Sequence, residues 1–242
     1  MALNLAARIE RRLLINYRVD AEVAAGLLPD GLRPQLVGGQ AVAGVCLIRL
    51  GGVRPPWVPE SLGWGGENAA HRIAVEWDGP EGPEHGVYIR ERHTSKALPT
   101  LVGGRVFPGV HHRASFAVRE SEERFHVALR SADGHASVDV DVRLTDDWHS
   151  ELFPTLDDAS VFFREGSTGW SPKHDGHTLE GLCLETDAWS VRAAEPVHVE
   201  SSFFNGLPPG SAEFDCALVM QDVPVSWSAP GAFPRTEALS AR

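Results

Sequence analysis

Residues 110–144, VHHRASFAVRESEERFHVALRSADGHASVDVDVRL, decide the fold. Val138, Val140, Val142 and Leu144 alternate with Ser137, Asp139, Asp141 and Arg143, the period of two that marks a half-buried strand. Just before them Phe125, Val127 and Leu129 alternate with Arg124, His126 and Arg130, and Ser131-Ala132-Asp133-Gly134 supplies a hairpin turn. Residues 110–119 alternate too. The stretch therefore predicts a three-stranded antiparallel meander, with cationic and anionic outer faces opposite each other.

Outward from this meander, the same patterns predict strands over 13–19, 41–50, 72–77, 87–92, 179–185, 188–192 and 214–227. Residues 41–50 and 216–220 are apolar at both parities, as strands covered on both faces must be. Helical signals are short: Asp20 caps a helix that Pro29 stops, Thr94 or Leu98 opens one ending at Gly103-Gly104, and Asp157 caps one ending near Gly166. Many strands, few helices and no βαβ rhythm predict a β-rich α+β domain, either a closed barrel or two packed sheets. It is expected to occupy residues 1–228 as one domain, with a flexible tail over 229–242.

The chain of 242 residues carries a net charge of −11 and has no basic stripe, which argues against nucleic acid or an anionic membrane as partner. A small molecule or another protein is expected instead. Cys46, Cys183 and Cys216 lie far apart in apolar runs, and the N-terminal residues MALNLAARIERR are no signal peptide, so a cytoplasmic protein with reduced thiols is expected. No Rossmann or P-loop fingerprint and no Gly-x-Ser-x-Gly elbow is present, and no cofactor is expected. Lys173-His174-Asp175-Gly176-His177 crowds two histidines and an aspartate into one loop, but without the spacing of a metal site, so no metal is expected either.

A charged residue at the apolar parity of a strand is a candidate for chemistry. Glu91 follows Val87 and Ile89 at intervals of two, which turns it inward if the strand stays regular and into water if the strand ends at Arg90. His112 shares parity with Ala114, Phe116 and Val118, as a core histidine or a ligand-binding one, whereas His111 faces the other way. Arg72 and Glu76 lie opposite Ile73, Val75 and Trp77, where they line a polar cavity or face solvent. Lys96, in Arg92-His93-Thr94-Ser95-Lys96, becomes a nucleophile toward carbonyls if partly desolvated near other cations; otherwise it is a surface lysine.

Several segments together resemble a known family: Leu27-Leu28-Pro29-Asp30-Gly31-Leu32, Glu67-Asn68-Ala69-Ala70-His71-Arg72, Gly86-Val87-Tyr88-Ile89-Arg90, Phe107-Pro108-Gly109-Val110-His111-His112, Ser201-Ser202-Phe203-Phe204 and Glu213-Phe214-Asp215. They are similar to an uncharacterised bacterial family, known as a domain of unknown function, in the acetoacetate decarboxylase-like superfamily. The resemblance implies a closed antiparallel, cone-shaped β-barrel with a few short helices and an internal ligand cavity, and it implies a homo-oligomer. Superfamily decarboxylases form an imine on a lysine that has a second lysine beside it, after an Arg-Glu strand end. Here Arg90-Glu91 precedes Lys96, and Ala97 follows it.

Two functions are expected on these grounds. One is an enzyme acting on a small carbonyl or carboxylate compound: Lys96 forms the imine, Glu91 or Glu76 moves protons, and Arg72 holds the carboxylate, with Arg90, His93 and His112 around the ligand. The other is a non-catalytic small-ligand binding or sensing protein, with Trp57, Trp64 and Trp77 as aromatic residues for a cavity mouth. An acidic surface leaves a protein-interaction module as a third.

Overall fold

The computed structural model describes residues 4–96, 107–173, 178–230 and 233. In chain order the elements are β1 (Asn4–Val19), α1 (Ala21–Ala25), β2 (Arg33–Pro34), β3 (Leu36–Val37), β4 (Gln40–Arg54), a 3-10 turn (Glu60–Leu62), β5 (Trp64–Gly79) and β6 (Gly82–Thr94). Then come β7 (Val110–Glu120), β8 (Arg124–Ser131), β9 (Ser137–Leu144), α2 (Leu156–Glu165), β10 (Thr168–Pro172), β11 (Leu179–Glu185), β12 (Arg192–Ser201), α3 (Ser202–Asn205) and β13 (Ala212–Ser228).

The fold is β-rich with few helices. The meander is β7–β8–β9, in the expected antiparallel register. Its charges pair on the diagonal: Arg124 opposes Arg143 but reaches Asp141, and His126 opposes Asp141 but reaches Asp139 at 2.9 Å. Alternation leaves these side chains exposed or partly exposed and buries Val127, Leu129, Val138 and Val140 behind them.

The strands close on themselves twice. One ring runs β5–β6–β7–β8–β9–β12–β13–β1–β4 and back to β5. A smaller ring leaves it at β6, passes through β10 and β11 to β13, and returns along β1, β4 and β5. Because β1, β4 and β5 belong to both rings, both of their faces are covered. Leu13, Ile15, Val45, Leu47, Ile73 and Val75 pack with the meander in one core. The alternate residues Leu14, Val42, Cys46 and Ala74 pack in another core, completed by Leu152, Phe153 and Phe163. This is why residues 41–50 carry no polar parity. Not every pairing is antiparallel: β6 runs parallel to β7 and to β10, which an antiparallel barrel does not allow.

Local corrections have local causes. The helix expected from Asp157 starts two residues earlier, capped by Thr155, whose side chain and Asp158 form a reciprocal capping box. Residues 188–191 are not a strand; the Ala188 amide donates to Thr186 Oγ1, and Trp189 donates to Ser160 on α2. The strand instead begins at Arg192 and tolerates Pro196 beside a bulge against β9. Thr94 ends β6 and opens no helix. Leu98, Gly103-Gly104, the His174–His177 stretch and most of the expected tail lie outside the described residues. Among the described residues no helix is long and apolar enough to cross a membrane.

Candidate functional site

A cavity of about 130 Å³ lies within the smaller ring, and β1, β4, β5, β6, β10, β11 and β13 each contribute lining residues. Ile48, Leu50, Leu182 and Trp227 form apolar wall, and Phe162 and Phe163 of α2 close one side. Asp215 holds the approach to α2 in place. A bulge between β1 and β13 sets it out of register, and it accepts from Ser150 Oγ and from the Glu151 and Leu152 amides. Trp227 is the tryptophan at the cavity. Trp57 is exposed, Trp64 packs on Phe107, and Trp77 is buried against Trp170.

The charge in the cavity is of one sign. Arg12, Arg72 and Arg92 line it, together with His111, and no Asp, Glu or Lys does so among the described residues. Arg72 is 3% exposed. Its Nη2 donates to Asn16 Oδ1, its guanidinium lies 4.7 Å from the centre of the Phe163 ring, and its Nε has no hydrogen-bond partner. Burial pulls its pKa down to about 10, so the group is still a cation at neutral pH. Gly44 stands opposite Arg72 and Asn16 in the sheet, where a Cβ would come within 2.4 Å of the Ile15 carbonyl oxygen. Arg92 is also drawn down to about 10 by burial; its Nε donates to the Pro108 carbonyl at 3.0 Å. Arg12 donates from Nε to the Cys46 sulfur at 3.3 Å and stacks over Trp189.

Arg92 reaches the cavity because of a bulge. In the β5–β6 ladder Ala70 faces Arg92 and Arg72 faces Ile89, so β6 carries one extra residue across Arg90-Glu91. The bulge resets the parity, and Arg92 lines the cavity where unbroken alternation assigns Glu91. Glu91 is partly exposed beside Arg90, 3.8 Å away, and Arg90 is exposed. Glu76 pairs with Arg33 and His85 at the end of the sheet. Lys96 is exposed just past β6, its amide meeting Thr94 Oγ1. It is not a lining residue, but its stem lies beside Gly66, on the face of β5 that also carries Asn68 and Arg72.

His93 and His112 meet each other on the opposite side of β6, inside the larger ring. Their rings stack at 5.6 Å, and His71 meets His93 edge-on at 6.3 Å. His112 reaches Asp133 at 3.5 Å, and His71 shares a hydrogen bond with Ser201 Oγ at 3.1 Å. The structure therefore brings Arg72 together with Arg12 and Arg92, which alternation did not single out, and leaves His93 and His112 outside the cavity lining. Among the described residues no cluster of His, Cys, Asp or Glu is placed to hold a metal ion.

Burial, with the charge of His93 added, pulls His71 from 6.5 down to about 4. The folded ring stays neutral where the unfolded one protonates. Stability is therefore full above about pH 6.5, declines as the pH falls toward about 4, and declines no further below that on this account, a loss of about 3 kcal/mol. Urea unfolding of the wild type and of His71→Asn at about pH 7.5 and pH 5 checks it. Parallel losses in the two proteins would exclude His71 as the source.

The sequence matches, over residues 6–219, a family described as uncharacterized conserved proteins, DUF2071. The chain belongs to that family. No curated protein matches this DUF2071 chain. Its fold is that of the acetoacetate decarboxylase-like proteins. Acetoacetate decarboxylase from Legionella pneumophila superposes with a TM-score of 0.54 at 15% identity, over 91% of this chain and 86% of that one. An acetoacetate decarboxylase-like enzyme from Sphingomonas wittichii RW1 gives 0.56 at 14% identity, over 95% and 90%. The enduracididine biosynthesis enzyme MppR, complexed with pyruvate, gives 0.55 at 13% identity, over 96% and 90%.

Proposed function

We propose that the smaller ring is the ligand barrel of this protein, and that it binds a small organic carboxylate, in the manner of an enzyme acting on a small carbonyl or carboxylate compound. The observation that carries the reading is Arg72: a buried cation with a free Nε and no acidic partner among the described residues, in a cavity that adds Arg12 and Arg92. A buried charge without a counter-charge is costly, and a bound carboxylate supplies the missing one. Guanidinium and carboxylate match in a bidentate geometry, while Ile48, Leu182 and Phe163 take the apolar part of the ligand. The pyruvate complex of MppR puts a small carboxylate on this fold.

Titration calorimetry with pyruvate, acetoacetate and the neutral pyruvamide tests it. Both anions are expected to bind and the amide is not; equal binding of pyruvate and pyruvamide would sink the reading. A second reading, imine formation on Lys96, is favoured by the position of its stem beside Gly66, on the cavity face of β5. An imine-forming amine needs desolvation or a neighbouring cation, and Lys96 is exposed. Borohydride with pyruvate is therefore expected to add no mass at Lys96. A pyruvate-dependent adduct there would select the imine chemistry.

A further inference from the structure

We propose that Cys46 is a modification site whose thiol takes carbon electrophiles that carry a carboxylate. The inference rests on the carboxylate reading of the cavity and adds a covalent partner to it. Cys46 lines the cavity from β4 and is 7% exposed. Arg12 donates a hydrogen bond to its sulfur at 3.3 Å, and Arg72 and Arg92 line the same cavity. The cationic lining draws anionic electrophiles toward the sulfur.

Arg72 Nε is buried and unpartnered on the same wall, an anchor for a carboxylate. An electrophile held there by its carboxylate presents its remaining carbons to the sulfur. With a haloacetate the S–C bond forms as the carbon–halogen bond breaks, halide leaves and the thiol proton passes to solvent. With an α,β-unsaturated carboxylate the sulfur adds at the β carbon, the π pair moves to the α carbon, and that carbon takes a proton from water. Neither step needs an oxidant or reductant.

Cys183 and Cys216 provide internal comparisons. Cys216 is buried away from the cavity lining, its thiol pushed up by burial and by the charge of Asp215. Cys183 is partly buried on β11 beside Thr168 and also lies outside the lining. The whole protein is treated in parallel with iodoacetate and iodoacetamide near neutral pH, and labelled peptides are quantified by mass spectrometry. Cys46 is expected to react at least about tenfold faster with iodoacetate than with iodoacetamide, since a cavity of one charge sign concentrates its counter-ion. Cys183 is expected to show no such preference, and saturating pyruvate slows iodoacetate at Cys46. Equal or faster reaction of Cys46 with iodoacetamide overturns the inference, as does its silence toward both reagents after Cys183 has reacted. Calorimetry with pyruvate separates the failures: binding without iodoacetate preference removes the cysteine alone, whereas loss of both removes the carboxylate site as well.

Discussion

Arg72→Met is expected to abolish pyruvate binding and at the same time to raise the stability of the ligand-free protein. The two effects have one origin. The Arg72 guanidinium is 3% exposed, hydrogen-bonded to a neutral amide oxygen and stacked on Phe163, with Nε unpartnered. Removing a buried charge of this kind in favour of an apolar side chain of similar volume is often neutral or stabilising by about 1–4 kcal/mol, and a Met sulfur packs well against an aromatic ring. Asn16 loses a donor, which offsets part of the gain. The melting temperature is expected to rise by a few degrees, at about 2–4 °C per kcal/mol for a chain of this size. Truncating one partner of a buried charge pair costs a ligand about 2–5 kcal/mol or more. Calorimetry and thermal unfolding on one preparation read both quantities. A variant that melts lower and still binds pyruvate would assign Arg72 to structure alone.

The meander and the two-sided strands were legible because alternation is a local property: each of residues 124–130 and 137–144 announces its face, and residues 41–50 announce that both faces are covered. The double closure was not legible. It depends on β10, five residues in a stretch with no clean alternation, and on parallel pairing of β6 with β7 and β10, both long-range choices. The site was legible only to the extent that parity survived. Arg72 sits on an unbroken run of β5 and could be singled out. Arg92 could not, since the bulge at Arg90-Glu91 appears only when β5 fixes the register of β6. Arg12, in Arg11-Arg12, was hidden by the opposite ambiguity: two adjacent arginines point to opposite faces, and both faces turn out to be interior.

Arg11→Ala is expected to destabilise the protein by about 3–5 kcal/mol at neutral pH, the cost of breaking a buried ion pair from one side. Arg11 is 1% exposed. Its Nη2 is bonded to Glu67 of β5 and its Nη1 to Glu120 of β7, and Arg49 of β4 reaches Glu120 at 2.8 Å and Glu67 at 3.7 Å. These charges tie β1, β4 and β5 to the end of the meander. Without Arg11, the carboxylates of Glu67 and Glu120, neither fully buried, share Arg49 alone. Burial by itself would raise the Glu120 carboxyl, but hydrogen bonds and charge from Arg11, and then from Arg49, hold it below its ordinary value. A depressed carboxyl contributes stability that is present above its unfolded pKa, about 4.5, and is lost as pH falls through the folded one. The gap between wild type and Arg11→Ala is therefore widest at neutral pH and narrows in acid, below the ordinary carboxyl value of 4.5, as Glu120 takes up a proton. Urea unfolding at the two pH values measures the gap directly. A gap below about 1 kcal/mol at neutral pH, or one that persists unchanged in acid, would mean that Arg49 and water satisfy the carboxylates and that Arg11 does not join the meander to the shared strands.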